Sequence, residues 1–335
     1  MPIIEMNDVS KQFKVAKRTT GFWNTLKSLV HREYETKQAV EHISLTVEPG
    51  ELIGYIGPNG AGKSTTIKML SGILTPSSGT IRVDGRIPYE DRKSNAMHIG
   101  VVFGQRSQLY WDLPMLDTFE LYQKMFHIPS DVFKRNVDFY VELLEMGEFL
   151  SRPVRQLSLG QKMRAELAVA LLHDPKIVYL DEPTIGLDVI AKSKIRTFIR
   201  EVNRDKGTTV LLTTHDMDDI EQICDRIVLI DRGSIIYDGT LASFKAQFSQ
   251  GHLLSVVLSD DTPIRLGDNR LQLVKEEGQR KQILFRHEEI SVGDAISWVT
   301  QHYRVLDLQL KEPNIEEIIK EIYGGTSGTS LRKAE

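Results

Sequence analysis

Cysteine is all but missing from this 335-residue chain: Cys224 stands alone. A single thiol cannot form an internal disulfide, so a hydrophobic core has to hold the fold. With no leader pattern across Met1–Ser10, the expected compartment is a reducing one. Long apolar runs are missing too. The longest, Leu167–Leu172 and Thr209–Leu212, are core-sized and fall far short of the roughly 20 residues that cross a bilayer. If the protein works at a membrane, another chain supplies the span. Nor is there a large excess of one charge. A net charge of −4 gives no whole-molecule field for gripping nucleic acid, although a local basic patch stays open. With 41% hydrophobic and 26% charged residues, the composition excludes disorder, collagen and a disulfide-stapled miniprotein, and the length fits about two domains.

The residues that are present organise themselves by period. Ile3–Val9 and Ile43–Val47 alternate apolar and polar positions and predict strands. Between them, Lys11–Lys37 carries seven Lys or Arg against two Glu. Within that stretch Phe22, Trp23, Leu26, Leu29 and Val30 recur at the spacing of a short amphipathic helix. Leu52–Ile56 predicts an apolar strand, followed by a glycine-rich loop and a helix over Lys63–Leu70. Short strands at Ile99–Phe103, Ile177–Leu180 and Val210–Thr213 alternate with predicted helices over Leu116–Phe126, Val132–Met146, Gln161–Leu172 and Ala191–Asp205. That alternation predicts a largely parallel sheet. Ile227–Ile230 and Ser234–Asp238 predict a hairpin closed by Asp231-Arg232-Gly233. After about Gln250 the texture changes. Four strand-like runs and two helical ones, the last an amphipathic Asn314–Tyr323 opened by Pro313, predict a small α+β appendage. The Gly-, Ser- and Thr-rich end predicts a loose tail.

Three segments carry chemistry. Gly57-Pro58-Asn59-Gly60-Ala61-Gly62-Lys63-Ser64 fits G-x-x-x-x-G-K-[ST] between a predicted strand and a predicted helix. Glycines let backbone N–H groups converge on phosphate oxygens, and the helix start adds partial positive charge. Lys63 is placed to reach the β- and γ-phosphates, and Ser64 to ligate Mg2+. Ile177–Glu182 ends a buried strand with two carboxylates. Asp181 is the expected Mg2+ contact and Glu182 the expected general base facing an attacking water. Leu157-Ser158-Leu159-Gly160-Gln161 precedes a helix. By itself it is a helix cap; ahead of the carboxylate strand it becomes a second phosphate contact.

Taken in order, these elements resemble the ATP-binding subunit of an ABC transporter. The match runs through Walker A (Gly57–Ser64), the Q-loop residue Gln105, the signature Leu157–Gln161, Walker B (Ile177–Glu182), the D-loop Gly186-Leu187-Asp188 and the switch residue His215. Leu159 replaces the first of the two usual signature glycines, while Ser158 and Gly160 remain. The implied fold is α/β, a P-loop NTPase ABC cassette. It has a mixed sheet core, an antiparallel β subdomain and a helical subdomain at about 106–172, all within residues 1–245. A small α+β domain at 251–323 and a flexible tail at 324–335 follow. The resemblance implies ATP and Mg2+ as ligands. Walker A with Thr65 would grip nucleotide, Ser158, Gly160 and Gln161 would complete the site of a second copy, and Asp188 would link the two sites. Ser64, Asp181 and Gln105 would serve the metal, Glu182 the water and His215 the γ-phosphate. Phe13 is the expected adenine-stacking aromatic, with an edge-of-core role as the bland reading and Tyr34 as a rival.

The implied partners are a second copy and integral membrane permease subunits, with no nucleic acid, at the cytoplasmic face of the cell membrane. Tyr110 and Trp111 lead into the helical region that receives the permease in this family; buried aromatics of that region are the alternative. Lys311–Ile319 resembles the C-terminal appendage of daunorubicin-type drug-exporter ATPases. That resemblance implies export of drugs or other hydrophobic small molecules. The insertion before Ala39 resembles polysaccharide-exporter ATPases, so a glycan or lipid cargo stays open, as does a nutrient importer. A non-transport ABC ATPase is the remaining class. Two cassettes per chain or a long coiled coil would mark it, and neither is found here.

Overall fold

The computed structural model describes residues 1–16, 34–104, 107–248, 251–286, 288–311 and 315–324. It divides into two units, Met1–Thr240 and Leu241–Glu335. The first begins with β1 (Ile4–Ala16) and β2 (Tyr34–Val47), followed by β3 (Leu52–Ile56), α1 (Lys63–Leu70), β4 (Ser78–Val83), α2 (Arg92–Ala96) and β5 (Ile99–Phe103). Helices α3 (Met115–Met125), α4 (Ser130–Leu143) and α5 (Leu159–Leu171) come next. Then β6 (Ile177–Asp181), α6 (Val189–Lys206), β7 (Thr209–Thr213), α7 (Met217–Ile223), β8 (Arg226–Asp231) and β9 (Ser234–Thr240) complete the unit.

The strands form two sheets. One is six-stranded in the order β5-β6-β7-β3-β8-β9, parallel except for the final hairpin. Its middle strand β3 is buried at every residue, as expected of a strand covered on both faces. The other is a three-stranded antiparallel sheet in the order β2-β1-β4. The two share one core, in which Ile4, Met6, Ile43 and Leu45 meet Ile53, Tyr55, Ile67, Tyr179 and Leu211.

The long arms correct the sequence reading. Lys11–Ala16 and Tyr34–Lys37 belong to β1 and β2, paired as Phe13↔Lys37 and Ala16↔Tyr34, and not to a basic insertion between two short strands. Each arm satisfies the other's backbone, so the ladder continues without an apolar alternation to announce it. The helix expected at Phe22–Val30 lies outside the described residues.

Helix α6 shows how pattern becomes packing. Asp188 caps its start by accepting from the Ala191 N–H at 2.8 Å, and Gly207 at φ +65° ends it. Its buried stripe is Ile195, Phe198, Ile199 and Val202. Phe198 is 1% exposed and lies with its ring centroid 6.0 Å from that of Tyr140 on α4. Phe198→Ala is expected to lower stability by roughly 3–5 kcal/mol, checked by urea unfolding.

The second unit contains α8 (Leu241–Phe248), β10 (His252–Leu258), β11 (Leu271–Glu277), β12 (Arg280–Phe285), α9 (Val292–His302), β13 (Val305–Lys311) and α10 (Ile315–Gly324). Its antiparallel sheet runs β11-β12-β10-β13. Ala295 and Val299 of α9 pack on Leu254, Val256, Ile283 and Phe285. Among the described residues no helix is long and apolar enough to cross a membrane.

Candidate active site

The loop between β3 and α1 is shaped by close approaches. A Cβ on Gly57 would lie 2.5 Å from the Ile230 carbonyl oxygen, and one on Gly62 would lie 2.5 Å from that of Ala39. Gly62 also holds φ +112°, which a side chain resists. Pro58, Asn59 and Gly60 are exposed at the rim, Ala61 is buried beneath them, and Thr65 is half-buried on the first turn of α1. Lys63 is 8% exposed. Its Nζ donates to the carbonyls of Gly57 at 2.5 Å and Pro58 at 3.2 Å. Burial pushes its ammonium below the ordinary lysine range, against the pull of Glu182 and Asp181.

Strands β6 and β7 deliver the remaining polar groups at their C-terminal ends, where open α/β sheets bind ligands. The Ser64 hydroxyl donates to Asp181 Oδ2 at 3.0 Å, and Thr213 donates to Oδ1 at 2.6 Å. One residue on, Glu182 takes φ +59°, unusual for a residue with a side chain. Its N–H donates to the Thr213 carbonyl at 2.9 Å. Its Oε2 lies 2.6 Å from His215 Nδ1. His215 itself stays 65% exposed, a ring reachable from solvent beside a half-buried carboxylate. The structure therefore brings Lys63, Ser64, Asp181, Glu182 and His215 to one end of the sheet. Gln105 lies outside the described residues. Gly104 before it donates its N–H to the Asp181 carbonyl at 2.8 Å.

The other expected phosphate contacts are on a separate surface. Ser158 caps α5 in a reciprocal box: it accepts from the Gln161 N–H at 3.2 Å while Gln161 Oε1 accepts from the Ser158 N–H at 2.9 Å. Ser158, Gly160, Gln161, Gly186, Asp188 and Ala191 line one groove of about 360 Å³. No residue of the β3–α1 loop lines it. Around it Leu159 is 54%, Ile190 72% and Val189 81% exposed, far more apolar surface than a finished interior leaves. Phe13 is half-buried on β1 opposite Lys37, two residues before the Ala39 carbonyl that abuts Gly62. Tyr34 is exposed at the far end of the same arm.

Two groups escape sequence reasoning. Glu166, buried on α5, accepts from the Ser107 hydroxyl at 2.5 Å and the Gln108 N–H at 3.0 Å; burial raises its carboxyl above the ordinary range, against these bonds. Asp219 on α7, fully buried, is bound by Arg196. The one signal for them is a charge on or beside an otherwise apolar helical face, at residues 166 and 196.

A family model described as ABC transporter matches residues 40–185. The linearmycin resistance ATP-binding protein LnrL of Bacillus subtilis (strain 168) is 30% identical over 304 residues, 89% of this chain and 97% of that one. The chain belongs to the ABC transporter family. It is an ATP-binding subunit and an ATPase of that family. The daunorubicin resistance ATP-binding protein DrrA3 of Streptomyces coeruleorubidus is 29% identical over 298 residues, covering 88% of this chain and 93% of DrrA3. Among solved structures, the ATP-binding cassette MJ0796, in a dimeric post-hydrolysis state bound to ADP and Pi, superposes with a TM-score of 0.60. The identity is 25%, over 71% of this chain and 98% of that one. The sheet described above is thus the ABC cassette fold.

Proposed function

We propose that this ABC subunit drives export of drugs or other hydrophobic small molecules, two copies closing around two ATP molecules and opening on hydrolysis. The observation that carries the reading is the split of the site. The phosphate loop with Asp181, Glu182 and His215 forms one surface; the Ser158–Gly160 groove, bordered by exposed Leu159, Val189 and Ile190, forms another. Each is half of a site that a second copy would complete. ATP between them adds contacts that exist only in the closed pair, and so shifts the equilibrium toward it. The names of LnrL and DrrA3 support the drug reading. In the same reading residues 1–245 work as the cassette and 251–323 as its appendage.

The residues divide the labour. Backbone N–H groups of Gly57–Gly62, the start of α1 and Lys63 hold the phosphates, with Thr65 beside them and Phe13 against the base. Ser64 and Asp181 offer hard oxygen donors that suit Mg2+, with Gln105 completing the metal and nucleotide contact. When bound, Mg2+ neutralises charge on the phosphate oxygens. Glu182 polarises the attacking water, and His215, oriented by Glu182, contacts the γ-phosphate. Ser158, Gly160 and Gln161 close on the partner copy's nucleotide, and Asp188 holds the adjoining turn in register.

Power leaves through the segment after Gln105. Tyr110 is 43% and Trp111 59% exposed, so the buried-aromatic alternative does not apply. Glu166 holds the start of this segment, and Lys162, one turn earlier on α5, sits 4.6 Å over the Trp111 ring. An exposed aromatic held in place from behind is a hot-spot anchor for a permease at the cytoplasmic face of the membrane. Tagged protein extracted from membranes should copurify with a polytopic subunit. Trp111→Ala is expected to weaken that capture about tenfold or more while basal ATPase stays within about twofold. Unchanged capture, or recovery of the wild-type chain free of membrane protein, counts against the reading.

A further inference from the structure

Behind the pair Glu182–His215 lies a carboxylate with no exposed surface, Asp219. The hydroxyls of Thr184 and Thr214 both donate to its Oδ2, Thr214 at 3.0 Å, and Arg196 Nε donates to Oδ1 at 2.6 Å. The three donors come from three different segments. Thr184 stands two residues after Glu182, Thr214 one residue before His215, and Arg196 on α6 two turns beyond its cap Asp188. Thr184 and Thr214 are themselves 2% and 0% exposed, so neither hydroxyl has water as an alternative partner. The network continues outward. The Asp216 N–H donates to the Thr214 hydroxyl at 3.0 Å, and Asp216 Oδ2 receives Lys192 Nζ at 2.5 Å. His215 is therefore flanked by two side chains tied to α6, Thr214 through Asp219 and Arg196, and Asp216 through Lys192.

We propose that Asp219 is a positioning residue for ATP hydrolysis. Through Thr184 and Thr214 it fixes where Glu182 stands relative to His215, and through Arg196 it ties that pair to the helix behind Asp188. The physical reason is the cost of a buried charge. Every partner of an ionised carboxylate in the interior is held to its place, because releasing one leaves the charge uncompensated. Glu182 needs such support. Its φ of +59° is a conformation that persists only where surrounding structure over-determines it. Asp219 touches neither water nor nucleotide; it acts through the threonines. The inference rests on the roles proposed above for Glu182 and His215.

Asp219→Asn keeps the shape but cannot accept from all three donors. It is expected to lower kcat about tenfold or more with KM for ATP within about twofold, since misplacing reacting groups slows the step without loosening the phosphate loop. The imidazole 15N resonances of His215 are expected to shift in 15N-histidine-labelled protein. Adding Arg196→Met removes the guanidinium that has lost its Asp219 partner and leaves Asp216 to Lys192; it raises the melting temperature, yet kcat stays low. Activity that instead follows melting temperature through the single and double variants marks a purely structural role and overturns the proposal. If Asp219→Asn does not fold, Thr184→Val decides. It deletes one link at constant volume and is expected to lower kcat at least threefold, again with KM unchanged. Wild-type kcat in either folded variant, beside an inactive Glu182→Gln, refutes the positioning role alone. Retained turnover in Glu182→Gln refutes the functional reading beneath it.

Discussion

Glu182→Gln will bind ATP with near-wild-type affinity and hydrolyse it at least about a hundredfold more slowly. The substitution is isosteric, so the backbone turn at φ +59° and the loop to Thr184 have no reason to change. What is lost is charge. A neutral amide neither polarises a water nor accepts its proton, and it no longer holds the His215 ring, now 2.6 Å from Oε2, as a carboxylate does. In the proposed cycle nucleotide then stays between the two half-sites, and a dimer is expected to accumulate. Phosphate release measures the first effect; gel filtration with saturating magnesium nucleotide measures the second. Turnover within about threefold of wild type would remove Glu182 from its role.

Lys63→Met separates binding from folding. Without the ammonium the loop keeps its backbone donors but loses the charge-assisted contact to phosphate proposed for Lys63, and affinity for ATP is expected to fall about a hundredfold. Stability without nucleotide should not follow. Because burial lowers the Lys63 pKa, the folded state binds fewer protons than the unfolded state in the window just below the ordinary lysine value. The charged side chain therefore weighs against folding below that window and less above it. Removing it leaves the melting temperature of nucleotide-free protein unchanged or higher, while the stabilisation that ATP gives the wild type disappears. Thermal melts with and without nucleotide read both effects. A large fall in the nucleotide-free melt would show that Lys63 is chiefly a structural clasp on the carbonyls of Gly57 and Pro58.

Elements with strong apolar period are legible in residue spacing. Strand β3, the hairpin Arg226–Thr240 and helix α6 lie within a few residues of their expected bounds, because burial on one face or both imposes that spacing. Helix α7 is not legible in the same way. It is short, and its first turn carries Asp218 and Asp219, so it lacks the stripe that announces a helix. The arms of β1 and β2 are silent because strand pairing, unlike packing, asks little of side chains. The aromatics Tyr110 and Trp111 cannot be assigned to core or surface by residue type, since the same types serve in both places.

Sequence alone determined the glycine-rich loop Gly57–Ser64, the carboxylates at the end of β6 and the family, because the pattern that marks them demands particular residues at short, fixed separations. Tertiary structure alone decided that Ser158 and Gly160 face a groove apart from Walker A. It also decided that Asp219 meets Thr184 and Arg196, residues 35 and 23 positions away. Contacts across such distances depend on how whole helices and strands pack, and packing leaves no local pattern to read.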